Sequence, residues 1–152
     1  MRRRAGFTVI ETMIALTIVA LLSVIAFPKL RNSMIKANVR GARNQLANML
    51  TAARTVSEQS NRSTALRFNG NVAWVTATPR RTVGGSGNLD TLGTVVNLST
   101  VYGTTVAVSS GDSLGYSPRG LTSLGITDLK ITVTRSGYTD SVMVDKLGRV
   151  RK

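Results

Sequence analysis

From Phe7 to Pro28 the chain is an apolar run carrying a single charge, Glu11, among Val, Ile, Leu, Ala, Met and Thr. A helix rises ~1.5 Å per residue, so this run extends about 33 Å and matches a bilayer hydrocarbon core of ~30 Å. Arg2, Arg3 and Arg4 precede it. Under the positive-inside rule they anchor the N-terminus in the cytoplasm and place the bulk of the chain across the membrane. Lys29 and Arg31 weaken that asymmetry without reversing it. A carboxylate within a spanning segment costs ~2.5–3.5 kcal/mol on insertion scales, which makes Glu11 a functional-site candidate by default.

Two plainer readings compete. A secretory signal would have a basic start, an apolar middle and cleavage near Ala26, with Val24 and Ala26 as the small residues. The run is long for that, and Glu11 sits early in it. The other is a single-span anchor with an incidental Glu. The stretch Gly6-Phe7-Thr8-Val9-Ile10-Glu11 behind a short basic leader resembles the processing signal of type IV prepilins and pseudopilins. The resemblance implies cleavage by a prepilin peptidase between Gly6 and Phe7, with methylation of the new Phe7 amine. It also implies that Glu11 pairs with the Phe7 amine of a neighbouring subunit when helices bundle into a filament. Such pairing would satisfy the buried carboxylate.

Removing leader and span leaves enough chain for one domain with its own core. The sequence has neither Cys nor His. Disulfides, the usual zinc sites, and Ser-His or Cys-His catalysis are therefore excluded. The acidic residues Glu58, Asp90, Asp112, Asp128, Asp140 and Asp145 are scattered, with no paired-carboxylate or metal-ligand spacing. No catalytic residue, metal site or cofactor is expected, and the chain reads as a non-enzyme. Asp112 after Ser109-Ser110-Gly111 offers at most a weak calcium loop.

Pro28 ends the apolar run and predicts a bend where the span leaves the bilayer. In the resembled family a proline here is tied to helix loosening during assembly. Beyond it Ile35, Val39, Ala42, Leu46, Met49, Ala53 and Val56 recur at steps of four and three. That is an amphipathic stripe, suited to a coiled coil or to the face of a long helix laid on a sheet. Lys36, Arg40, Arg43 and Arg54 are expected to be solvated.

After Ser63 the chain turns β-rich. Residues 64–68 and 71–75 form a hairpin about Asn69-Gly70, with Trp74 expected in the core. Residues 79–93, holding Arg80, Arg81 and several glycines, read as a loop able to reach a polyanion. Short strands follow at 94–98 and 104–109, a turn at 116–120, and strands at 129–134 and 138–145 joined by Ser136-Gly137. Expected organisation is a leader over 1–6, a membrane and filament-core helix over 7–28, its amphipathic continuation over 29–60, and a β-rich domain over 61–152. The fold class is α+β, pilin-like, with one long N-terminal helix on a small antiparallel sheet.

Ser117-Pro118-Arg119-Gly120, the Ser-Gly turn, the Val-rich strand and the closing Gly148-Arg149-Val150-Arg151 resemble the GspH/FimT family of minor pilins and pseudopilins. Without Arg2, Arg3 and Arg4 the chain retains 17 basic and 7 acidic side chains, a net +10. That excess favours polyanions, although a basic surface needs no dedicated partner. Arg149 and Arg151 are two apart and share one strand face, flanked by Lys146 and Lys152. In the FimT branch a Gly-Arg-x-Arg tail goes with DNA uptake, which points to Gly148, Arg149 and Arg151. Such contacts would grip phosphates and be sequence-independent. The same arginines would also serve to end and protect an edge strand. The resemblance leaves two roles open. One is a type IV pilus subunit that holds DNA. The other is a purely structural tip or initiating subunit of a type II secretion pseudopilus. Either way the expected partners are other pilin subunits, the peptidase and the inner membrane, with the domain in the periplasm and later in a filament.

Overall fold

The computed structural model describes residue 6 and residues 8–79, 89–123 and 128–152. It divides the chain into two compact units, Met1–Ile35 and Lys36–Lys152. One element belongs to both: helix α1, Val9–Ser60. Thr8 starts it, accepting the Glu11 N–H at its hydroxyl and the Thr12 N–H at its carbonyl, both at 3.3 Å. This is one half of a capping box, with Glu11 at the position that favours a carboxylate near a helix start.

In the first unit every residue of α1 from Val9 to Met34 is exposed, including Val9, Ile14, Leu22 and Phe27. Its hydroxyls are satisfied within the helix. Thr12 donates to Val9 O at 2.7 Å, and Thr17 to Met13 O and Ser23 to Val19 O at 2.8 Å. A segment in hydrocarbon needs this, because no water is there to take up an orphaned donor. The helix continues through Pro28 instead of ending there.

In the second unit the stripe behaves as its spacing dictates. Val39, Ala42, Leu46, Met49 and Ala53 are buried, joined by Ala47 and Leu50, so the buried face is broader than the expected seam. They meet two antiparallel four-stranded sheets where one was expected. The first orders β3 (Asp90–Asn97), β2 (Val72–Ala77), β1 (Thr64–Asn69) and β5 (Ser113–Tyr116). The second orders β4 (Thr105–Val108), β6 (Leu129–Arg135), β7 (Tyr138–Val144) and β8 (Val150–Arg151). Leu66, Phe68, Ala73 and Val75 from one sheet and Ile131, Val133, Val142 and Val144 from the other join the helix in a single core. Asn71 links the sheets: its Oδ1 accepts the Val106 N–H and its carbonyl the Leu98 N–H, each at 2.9 Å.

Four expectations are corrected. The β1–β2 loop is Gly70-Asn71, not Asn69-Gly70, because Asn69 pairs with Val72. Trp74 is not in the core. The pairings Leu66↔Val75 and Phe68↔Ala73 fix the inward parity, which leaves Trp74 half-buried on the outer face opposite Arg67. The strand expected over 94–98 belongs to the longer β3 and stops at Asn97. There the Asn97 side chain caps a short helix, α2 (Leu98–Tyr102), by accepting from the Ser99 and Thr100 N–H groups. Arg43 and Arg54 are not simply solvated: Arg43 pairs with Asp140 at 2.9 Å, and Arg54 with Glu58 at 3.0 Å.

Candidate functional site

Two places carry chemistry, one in each unit. In the first, Gly6 and Glu11 flank the proposed cut. Glu11 is exposed in the first turn of α1, and among the described residues no cation pairs with it. Phe7 lies outside the described residues. So do Arg80 and Arg81, the loop cations of the expected polyanion site.

The second is the C-terminal tail, and its geometry rests on Asp145. The Asp145 carboxylate accepts the Leu147 N–H at 3.0 Å and the Arg149 N–H at 2.8 Å. Its carbonyl accepts the Gly148 N–H at 2.9 Å, and its own N–H donates to Arg149 O at 3.1 Å. The four bonds fold residues 145–149 into a closed turn that delivers β8 onto the edge of β7, in the register Val144↔Val150 and Met143↔Arg151. The turn is also held from outside. Arg54 Nη1 donates to Gly148 O at 3.2 Å, and the Thr122 hydroxyl donates to Lys146 O at 2.9 Å.

Gly148 is buried at φ 76°, where an added Cβ would lie 2.6 Å from Gly120 O and 3.1 Å from the Tyr116 ring. It shapes the turn and stands behind the arginines, so it offers no surface to a ligand. Lys146, Arg149, Arg151 and Lys152 are all exposed. Arg151 is 4.0 Å from the far oxygen of Asp145, too long to hold it, and its side chain is 70% exposed. A tail of four cations around one nearly buried carboxylate leaves a strongly positive edge.

Two further cations join it that the sequence left aside. Lys130, exposed on β6, lies in one cross-strand row with Met143 and Arg151. Strands lie ~4.8 Å apart, so Lys130 and Arg151 stand about 10 Å from one another at their backbones. Arg119 is exposed on the turn closed by the Gly120 N–H to Ser117 O bond, and that turn abuts Gly148. Alternation along residues 129–134 is enough to face Lys130 outward. Which strand it neighbours is a matter of topology, and no local pattern carries that.

Tyr116 lies beneath the tail turn, 1% exposed, with its hydroxyl making no hydrogen bond among the described residues. Burial pushes its pKa up to about 12, with Arg54 drawing it down and Asp145 raising it. Among the described residues no three potential metal ligands gather.

Residues 1–27 match the family described as the prokaryotic N-terminal methylation motif. Two solved structures share the architecture, both of the type IV minor pilin FimU of Pseudomonas aeruginosa strain PAO1. One crystal form aligns at TM-score 0.59 and 15% identity, covering 76% of this chain and 88% of that one. The other aligns at 0.55 and 16%, covering 74% and 90%. The chain carries an N-terminal methylation motif and shares the fold of FimU. At such identities the likeness is one of fold, and no curated protein sequence matches the chain.

Proposed function

We propose that the chain is a minor subunit of a type IV pilus-type filament that also holds DNA through its C-terminal tail. The subunit reading draws on a methylation motif over residues 1–27 in front of a pilin fold. In it, the peptidase cuts between Gly6 and Phe7 and methylates Phe7. The span then waits in the inner membrane with the domain in the periplasm, Glu11 pairs with a neighbouring Phe7 amine on assembly, and Pro28 marks where the helix loosens.

The observation that supports DNA binding most is the closed 145–149 turn, which holds Arg149 at its end and leads into Arg151 on the edge strand β8, both side chains exposed to reach phosphates. Lys146, Lys152, Arg119 and Lys130 widen the positive surface, and Arg80 and Arg81 belong to the same proposal. Contacts of this kind track the backbone and weaken as salt rises, because binding releases counterions.

The test is a salt titration of duplex DNA binding by residues 29–152, beside the Arg149→Ala/Arg151→Ala variant. The expected result is weaker binding in the variant and a log–log salt slope shallower by about 2, one per lost phosphate contact. Equal binding by both would assign the affinity to general charge. Absence of binding at low salt would leave the second reading, a structural tip subunit of a type II secretion pseudopilus. One feature favours that reading: the Asp145 network alone is enough to terminate and protect the β7 edge.

A further inference from the structure

Away from the tail, a cationic cavity lies where α1 meets the start of β7. A cavity of about 240 Å³ is lined by Lys36, Val39, Arg40, Tyr138, Thr139 and Asp140. Lys36 Nζ sits 4.9 Å from the centre of the Tyr138 ring, so the aromatic face holds the ammonium in place. The one carboxylate in the wall is already occupied. Asp140 pairs with Arg43 at 2.9 Å and accepts the Ser141 N–H at 2.9 Å. Lys36 and Arg40 are both exposed, and among the described residues no acid pairs with either. The cavity therefore presents two uncompensated cations, an aromatic ring and the Thr139 hydroxyl, a donor set suited to a phosphodiester.

We infer that this cavity binds the headgroup of an anionic phospholipid at the membrane surface. The inference rests on the membrane-anchored reading above, and the chain itself supplies the reason to prefer lipid. Lys36 follows Pro28 by eight residues. At ~3.3–3.6 Å per residue the cavity can never be more than about 29 Å from the end of the span, whatever the conformation. A polyanion in solution has no such tether. Tyr138 has the apolar body and polar tip that settle at headgroup depth. The site is also a single concave pocket, whereas duplex DNA is better served by an extended track of cations such as the tail edge. A subunit held this way would be retained on the membrane until filament contacts replaced the lipid.

Native mass spectrometry of the full chain, released from detergent containing equal amounts of phosphatidylglycerol and phosphatidylcholine, tests this. The expected result is one retained phosphatidylglycerol, favoured over phosphatidylcholine about tenfold. The Lys36→Gln/Arg40→Gln variant loses that preference, while Lys29→Gln/Arg31→Gln keeps it. Far-UV circular dichroism shows whether each variant is folded. No preference in the wild-type chain overturns the inference, as does a preference that survives in Lys36→Gln/Arg40→Gln or disappears in Lys29→Gln/Arg31→Gln. Displacement of the lipid by a short DNA duplex that itself needs Lys36 and Arg40 would assign the cavity to nucleic acid. Membrane anchoring is read separately, from the membrane fraction after a high-salt wash. Release of the chain there would sink the anchored reading and the inference with it, whereas retention without lipid preference would sink the inference alone.

Discussion

Gly148 and Tyr116 show how single residues set the tail. At φ 76° a side chain at position 148 is strained by ~1–2 kcal/mol before any contact is counted, and the Gly120 carbonyl stands 2.6 Å from where Cβ would go. Gly148→Ala should therefore lower stability by about 2–3 kcal/mol, read as a shift in urea midpoint. An unchanged midpoint would mean that the turn yields easily and does not position the arginines. Tyr116 makes a pH prediction. Its hydroxyl has a pKa of about 12 in the fold against 10.0 for the ordinary group. The folded state keeps its proton at pH values where the unfolded chain has lost it. The stabilisation is full below pH 10 and is lost as pH rises towards 12, a fall of roughly 1–3 kcal/mol. Tyr116→Phe should flatten that fall, and it leaves no buried hydroxyl unpartnered, so its stability at neutral pH should equal or exceed that of the parent. Thermal melts across the alkaline range would check both. The sequence marked Gly148 as part of a ligand motif but could not show it buried. That depends on Tyr116 and Gly120, some thirty residues earlier in the chain and belonging to the other sheet and the turn after it.

At the scale of elements, the legible parts are those whose pattern is local. The four-three stripe from Val39 to Ala53 specifies a helix face, and Ser136-Gly137, both at positive φ, specifies the β6–β7 hairpin. Strand partners are another matter. Alternation tells which side chains point inward, but not that β1 pairs with β5 or that β4 pairs with β6, and so it does not separate two sheets from one. Trp74 follows the same logic, since residue size favours the core while the register of β1 and β2 decides the face. The α2 helix had readable signals that β-branched neighbours obscured. Asn97 caps its start with bonds of 3.1 and 3.2 Å, and Gly103, at φ 63°, closes its end. Asn97→Ala should cost about 1 kcal/mol, because two helix-start N–H groups lose their acceptor. Leu98 is buried beneath this turn, so the loss should appear in global unfolding as well as in local amide exchange. A change confined to the amides of residues 98–102 would mean that α2 is a separable surface turn.

Across the whole chain, charge and apolar surface are sorted into different places. Among the described residues three of the seven acids hold close ion pairs, Asp140, Glu58 and Asp90 with Arg43, Arg54 and Arg62. Pairing leaves the net +10 as it is, and exposed cations gather at the tail, Lys146, Arg149, Arg151 and Lys152, and at Lys36 and Arg40. The apolar residues of the first unit are exposed without exception from Val9 to Met34, and they need hydrocarbon or other helices around them. Glu11 is the one charge among Val9–Phe27, which makes it the natural test of how that surface is covered. In a bilayer the carboxylate near the helix start is tolerable at the interface, and its cap with Thr8 needs only the Glu11 backbone N–H. Within a bundle of helices it needs a cation, and the proposed Phe7 amine of a neighbour is one. Glu11→Ala should then leave the chain cleaved and in the inner membrane, since removing a charge makes insertion easier. It should also reduce the chain in sheared filaments by an order of magnitude or more, because a buried ion pair that loses one partner costs ~3–5 kcal/mol. Immunoblots of membrane and sheared-filament fractions would read both. Wild-type levels in filaments would show that Glu11 acts only as the first-turn acid of α1. Loss from the membrane as well would place its role in insertion, ahead of any assembly step.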